Sequence, residues 1–398
     1  MAGESQGVGD RIAQARKLRG WSQGRLAQEA NVSASLVTKV EQGRRAATSA
    51  FVASCAKALR MSAADLLGQP LPAKSSADRD VHAAIAIIRN ELAAYDVDAP
   101  DIRVRPMAAL ADGVENIRRY RRAAAAPKLA AALPPLLAEV RASVHRAEGL
   151  QREQALNLLC ELYYGSHSLA HKLGYTDLAT IAIDRMAWAA RESGDPLWTA
   201  TSQFHRAALL TAGGDWNAAL TFLERCRASI EPRLAAQTEY DLVAWGGLHL
   251  QSGLAAARKG ARDLADSHLR EARDTACRLG SDTDPILSFG PTNVGIWNIA
   301  LAVEMMDGTE ALNRARGFAM PPTTPRERSG HYHIDMARAW LLHGQRGKAF
   351  DSLLTARRIA PSQTRYHPMV HETLLVLARE DARSTETLRG FAAWCGLS

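Results

Sequence analysis

The chain has 398 residues, with 49 Lys and Arg against 42 Asp and Glu; 47% of its residues are apolar and 6% aromatic. At roughly 100 to 200 residues per domain, this length predicts two or three domains with a substantial core, and the mixed charge excludes wholesale disorder. No apolar run approaches the roughly 20 residues that span a bilayer, and residues 1–20 lack an apolar core followed by a cleavage site, so a soluble, cytoplasmic protein with no membrane partner is expected.

The charge is uneven. Residues 1–72 hold ten Lys and Arg and five Asp and Glu, so five of the seven surplus positive charges lie in the first seventy or so residues. A small basic unit ahead of a large near-neutral one is the layout of a nucleic-acid reader with a separate control module. Cys55, Cys160, Cys226, Cys277 and Cys395 form no C-x-x-C pair, which predicts neither a disulfide framework nor a zinc cluster.

In chain order, Ile12, Ala15 and Leu18 lie along one face of a first helix that Gly20 stops. Ser22 caps a second helix whose Leu26, Ala27 and Ala30 face inward. Asn31 follows at a turn, where Asn tolerates the left-handed backbone that a tight corner between crossed helices needs. Ser33 caps a third helix that runs to about Gln42, buries Val37 and Val40, and ends at Gly43. A fourth carries Phe51, Val52, Cys55 and Leu59 on one stripe, and a short fifth holds Leu66 and Leu67.

The run from Trp21 through Gln23, Ala27, Val32, Ser33, Leu36, Val40 and Glu41 to Arg45 resembles the helix-turn-helix of XRE-type, lambda-repressor-like regulators, over about residues 8–68. That resemblance implies a double-stranded DNA operator as partner, with the third helix in the major groove and Ala34, Ser35, Thr38 and Lys39 at positions that reach base edges, beside Ser33 at its start. It places Gln23 where the family contacts backbone and supports the reader helix, and Arg44 and Arg45 where phosphate contacts fix register. Gly24 inside the second helix departs from good helix chemistry by roughly 0.5–1 kcal/mol relative to Ala, and Asn31 replaces the glycine more usual at the turn. Glu41 is read as a structural partner within the bundle.

Residues 69–80 hold two prolines and a polar run, and read as a tether between a head at 1–68 and a second domain at 81–398. Beyond it the periodicity is helical throughout and no strand pattern occurs, so the fold class is all-α. Ala179-x3-Ile183, Ala218-x3-Phe222, Ala265-x3-Leu269, Ala311-x3-Ala315 and Ala349-x3-Leu353 each open a helix, at spacings of 39, 47, 46 and 38 residues. They resemble the second helices of a degenerate tetratricopeptide-like α-solenoid. Such arrays curve, and their first helices line a groove. Candidate peptide or small-molecule contacts there are Tyr163, Tyr164, His167, Gln203, Arg206, Trp245, His249, Asn293, Trp297, Asn298, His331 and Arg338, with His333 and Asp335 nearby.

Pro291 in Ser288-Phe-Gly-Pro-Thr-Asn-Val294 reads as a helix start. With residues 331–338 and 365–372, this stretch is similar to segments of actinobacterial XRE regulators with repeat-like C-terminal domains, which implies a signal-receiving domain. His367 and His371 sit at i and i+4, but Pro368 stands where a metalloprotease has glutamate, so no metal is expected. His331 and His333 point about 200° apart on a helix and do not chelate together. No phosphate-cradling loop or nucleophile elbow occurs, so neither catalysis nor a cofactor is expected. The Arg118–Arg122 run is read as a solvated helix face.

The expectation is a homodimeric, ligand-gated transcriptional regulator on half-sites about 34 Å apart or a multiple of that. The alternative is a helical interaction scaffold that its head localises to DNA.

Overall fold

A computed structural model describes residues 7–71, 76–283, 287–380 and 386–397. Its regular elements are all helices; among the described residues the only β-pairing is a single bridge between Thr283 and Phe289. The head comprises α1 (Val8–Leu18), α2 (Gln23–Glu29), α3 (Ala34–Glu41), α4 (Ser49–Leu59) and α5 (Ala63–Leu67). Hydroxyl caps set the starts. Ser22, Ser33, Thr48 and Ser62 accept from the N–H groups of Arg25, Leu36, Phe51 and Asp65, satisfying donors that have no partner inside the helix. Asn31 adopts the left-handed backbone, with φ of 52°, at the corner between α2 and α3.

Ile12, Leu26, Val37, Val40, Val52, Cys55, Leu59 and Leu66 form the head's core. Leu18, expected on the inward stripe, is 83% exposed because α1 ends on it and the chain turns away at Gly20. α1 crosses α3 so closely that a Cβ on Gly9 would stand 2.1 Å from the Val40 carbonyl oxygen. Gly9→Ala therefore forces two backbones apart. It should lower head stability by about 1–3 kcal/mol, read as a drop in the denaturation midpoint, whereas the same change at the exposed Gly24 should stabilise.

Helix α6 (Ser76–Ala93) begins inside the stretch read as a tether, so that reading is shortened; residues 72–75 lie outside the described ones. Then come α7 (Met107–Arg122), α8 (Ala126–Arg146) and, among the described residues, five hairpins. These are α9 (Gly149–Leu173) with α10 (Thr176–Ser193), α11 (Pro196–Ala212) with α12 (Trp216–Ile230), α13 (Glu239–Lys259) with α14 (Arg262–Leu279), α15 (Pro291–Glu304) with α16 (Gly308–Ala315), and α17 (Arg326–Leu342) with α18 (Arg346–Ile359). The first helices of neighbouring pairs pack on one another from α11 to α17. α19 (Pro361–Tyr366), α20 (Pro368–Glu380) and α21 (Glu386–Trp394) close the chain.

All five hairpins turn in one way. A residue with positive φ (Gly174, Gly214, Gly260, Met306, Gly344) precedes the N-cap of the second helix, a conformation in which glycine carries no Cβ penalty. The next residue's carbonyl (Tyr175, Asp215, Ala261, Asp307, Gln345) accepts from the N–H four positions on, which in every case belongs to an alanine. Those alanines, 179, 219, 265, 311 and 349, are 0% exposed. In the second hairpin the expected register was one residue early. Because Asp215 is the cap, Ala219 and Leu223 face the partner helix, while Ala218 and Phe222 are only half-buried.

The open groove expected of such an array is corrected by its last helices, which return to its first. In α6, Asp78 is buried and accepts from Arg365 at 2.7 Å and from the Tyr366 hydroxyl. Lys172 on α9 faces Glu327 on α17 at 3.6 Å, and the Gln363 amide donates to the Glu327 carbonyl at 3.1 Å. The array is a closed circuit around an interior.

Candidate nucleic-acid interface and polar interior

Four side chains lock the reader helix. Arg16 on α1 grips both carboxylate oxygens of Glu41 at 2.7 and 2.8 Å. Gln23 donates to Glu41 at 2.7 Å and accepts from the Thr38 hydroxyl at 2.8 Å. α1, α2 and α3 are thus joined through one nearly buried carboxylate, the structural role expected of Glu41. The Thr38 hydroxyl and the Gln23 amide are consumed within the head, and Ser33 caps α3, which leaves Ala34, Ser35 and Lys39 as the outward face. Gln42, which sequence reasoning did not single out, is exposed at the helix's end beside them; Arg44 is exposed and Arg45 half-buried just beyond.

In the array, the structure sorts the candidate ligand contacts. Tyr164, His167 and His331 do face the interior. His205 lies 4.7 Å from Tyr164 and 4.8 Å from His167, ring to ring, and His167 stacks on His171 at 5.7 Å. On the opposite wall His331 lies 3.3 Å from Glu327 and 5.6 Å, ring to ring, from His367. Trp297 joins this row through the edge of Phe204, 6.2 Å away. Burial first, and then the neighbouring imidazoles and, for His171, Lys172, push the His167 imidazole down to about 3 and His171 to about 4 and hold His205 and His367 well below the ordinary value, so these rings are neutral. Glu327 stays ionised: burial works against its charge, but Arg328 and Lys172 prevail and hold it well below the carboxylate range.

Most of the other candidates are taken up by packing or by neighbouring charges. Tyr163 is 1% exposed in the core. Gln203 sits two residues, about 200°, from the inward His205, and the exposed Arg206 lies over Phe222. Trp245 packs on His249, whose Nδ1 meets His268 at 3.1 Å between α13 and α14. Asn293 straps the Ser288 carbonyl at 2.5 Å, and Asn298 accepts from Arg314 at 3.3 Å. Arg338 is buried between Glu304 and Asp335, at 2.8 and 2.9 Å, while Arg258 holds the other oxygen of Glu304. His333 points away from His331, against Tyr332. The Arg118–Arg122 run is no solvated face, because Arg121 is buried, pairs with Glu161 at 3.1 Å and lies 4.0 Å over the Tyr164 ring.

Sequence reasoning missed His171, Lys172, His205, Phe204 and Glu327. Tyr164, His167 and His171 at i, i+3 and i+7 form one helical stripe, which was the available signal.

The head is docked on this array. Glu372 of α20 is buried and accepts the Val8 N–H at 3.0 Å; it also bonds the Ala47 backbone N–H. Arg379, one further stretch along α20, pairs with Asp10 at 2.8 Å and lies where a Cβ on Gly43 would stand. On another side α4 rests against α11 and α13, with the Ala53 carbonyl facing Gly214. α20 therefore follows directly on the interior residue His367 and grips the head with Glu372 and Arg379.

No helix among the described residues is long and apolar enough to cross a membrane. A search of curated proteins finds no match to the chain. Residues 8–67 match the model of a helix-turn-helix domain, and the head is accordingly a helix-turn-helix DNA-binding domain.

Proposed function

We propose that the chain is a sequence-specific transcriptional regulator of the XRE type whose operator binding is controlled by a peptide or small molecule held in the interior of the array. The observation that carries the DNA claim is the α3 face. The Arg16–Glu41–Gln23–Thr38 lock fixes the helix from behind while Ala34, Ser35 and Lys39 stand outward, unobstructed by the docked array. The five hairpins, each with its buried alanine at the fourth helical position, support the reading of a degenerate tetratricopeptide-like solenoid, here closed, as the sensor of an actinobacterial-type regulator. The control claim rests on α20, which leads from His367, the interior residue just before it, to Glu372 on the head. A ligand that displaces His367 shifts the head only by the difference in its affinity for the two placements. A homodimer on paired half-sites completes the binding unit.

Lys39→Ala should weaken operator binding by about 1–3 kcal/mol and relax sequence preference. Arg44→Ala should weaken it evenly across sequences and reduce the slope of log affinity against log salt by roughly one. Mobility shifts across a salt series measure both, and unchanged affinity in the two variants would overturn the docking.

A further inference from the structure

Between the head and the array lies a cleft that neither the reader helix nor the interior uses. Its head wall is built by Arg19, Trp21 and Arg25 around the start of α2 and by Lys57 and Arg60 at the end of α4. Its array wall is Trp216 at the start of α12 and Lys259 at the end of α13. Its volume is about 580 Å³, within the roughly 300–1,000 Å³ of small-molecule sites, which favour such seams between domains.

The charge in it is unbalanced. Five cations line the cleft against two acids, Glu29 and Asp215, a surplus of three. Both acids are already engaged: Glu29 pairs with Arg25 at 2.6 Å, and Asp215 caps α12. Lys57, Arg60 and Lys259 are exposed and form no ion pair among the described residues. Cations brought together without counterions build a potential that favours anions. Trp216 donates its indole N–H to the Thr211 carbonyl at 3.1 Å, so its polar edge is satisfied and its half-buried apolar ring remains on the cleft. Trp21 carries the guanidiniums of Arg19 and Arg25 at 5.6 and 6.0 Å from its ring centre.

We propose that this cleft binds a ligand of the nucleotide class, a small molecule with two or more phosphates and a flat ring. Lys57 and Arg60 of the head and Lys259 of the array hold the phosphates, and the ring lies on Trp216. Because the two walls belong to different parts of the molecule, the ligand meets its full set of contacts only when the head is docked, and it strengthens docking by that difference. Phosphates of the same chemistry are also carried by the DNA backbone, so the test separates the two sources.

Full-length protein, without DNA, is titrated with ATP, pyrophosphate and adenosine at fixed ionic strength, followed by calorimetry and tryptophan fluorescence. ATP is expected to bind at least tenfold more tightly than either fragment. Lys57→Glu and Lys259→Glu should each weaken ATP tenfold or more. Lys128→Glu, an exposed cation on α8 outside the cleft, makes the same change of net charge and should leave ATP binding intact. Thermal melts confirm that the exposed substitutions leave the fold in place. ATP binding no better than adenosine, or unaffected by Lys259→Glu, overturns the proposal. Loss of operator affinity in Lys259→Glu without any ATP binding assigns the cleft to DNA phosphates and overturns it equally. The titration contains no operator, so its result is readable whether or not the DNA reading holds.

Discussion

Lowering the pH from 7.5 to 5 should reduce the melting temperature of the array by on the order of 10 °C. Burial pushes His167 and His249 down to about 3 and His371 to about 4, and all three are less than a tenth exposed. In the unfolded chain the same imidazoles titrate near about 6.5. Since the folded values are depressed, the folded protein stays neutral while the unfolded chain takes up protons. The stability is complete above pH 6.5 and is lost progressively as the pH falls below it, toward about 4 and 3. At pH 5 each of the three contributes about 2 kcal/mol to the loss, before relaxation reduces it. The ion pairs of Glu304 cannot mask this. Burial opposes the charge of Glu304, but Arg258 and Arg338 hold it down at about 2, so its contribution is present above the unfolded carboxylate value and fades only as the pH falls from there toward 2. Burial raises the carboxyls of Asp335 and Glu372, which gain stability as the pH falls and so offset part of the loss. Calorimetry between pH 7.5 and 5 reads the balance, and a melting temperature that rises or stays flat would overturn the histidine account.

Glu372→Ala should release the head from the array. The substitution leaves the Val8 and Ala47 amides without their shared acceptor in a buried seam, at about 1–3 kcal/mol for each group. The Arg379–Asp10 pair that remains is well exposed and adds at most about 1 kcal/mol. Hydrogen exchange at the first turn of α1 should accelerate by two orders of magnitude or more, while the α3 core amides stay protected. If the head is an independently folding reader, affinity for a single half-site survives and effector dependence is lost. Exchange at wild-type rates would mean that α4 on α11 and α13 carries the docking alone.

The head was legible because its rules are local. Ser22 and Ser33 act on amides three residues away, Asn31 acts through its own backbone, and the third helix ends where Gly43 said it would. The hairpins were legible for a related reason, since a left-handed residue, a cap and a small residue recur within five positions. The slip from Ala219 to Ala218 arose because two alanines stand together there and only the cap at Asp215 decides between them. The interior was not legible beyond Tyr164, His167, Trp297 and His331. Its remaining members lie far apart in sequence, and they meet where α17 and α19 return to α9, a contact no periodicity announces. Arg338 and Asn298 carried the right chemistry and the wrong address. Arg338 is consumed between Glu304 and Asp335, and Asn298 turns its amide oxygen to Arg314 on the neighbouring helix.

Asp78, bonded to Arg365 and Tyr366 across nearly the whole length of the array, also limits what the chain can become. An open stack of hairpins tolerates duplication or deletion of a unit, because each touches only its neighbours. A stack whose last member must meet its first has a fixed circumference. Excising one hairpin at its matching alanines would leave two ends that no longer reach, so the number of units here is as constrained as any single buried side chain.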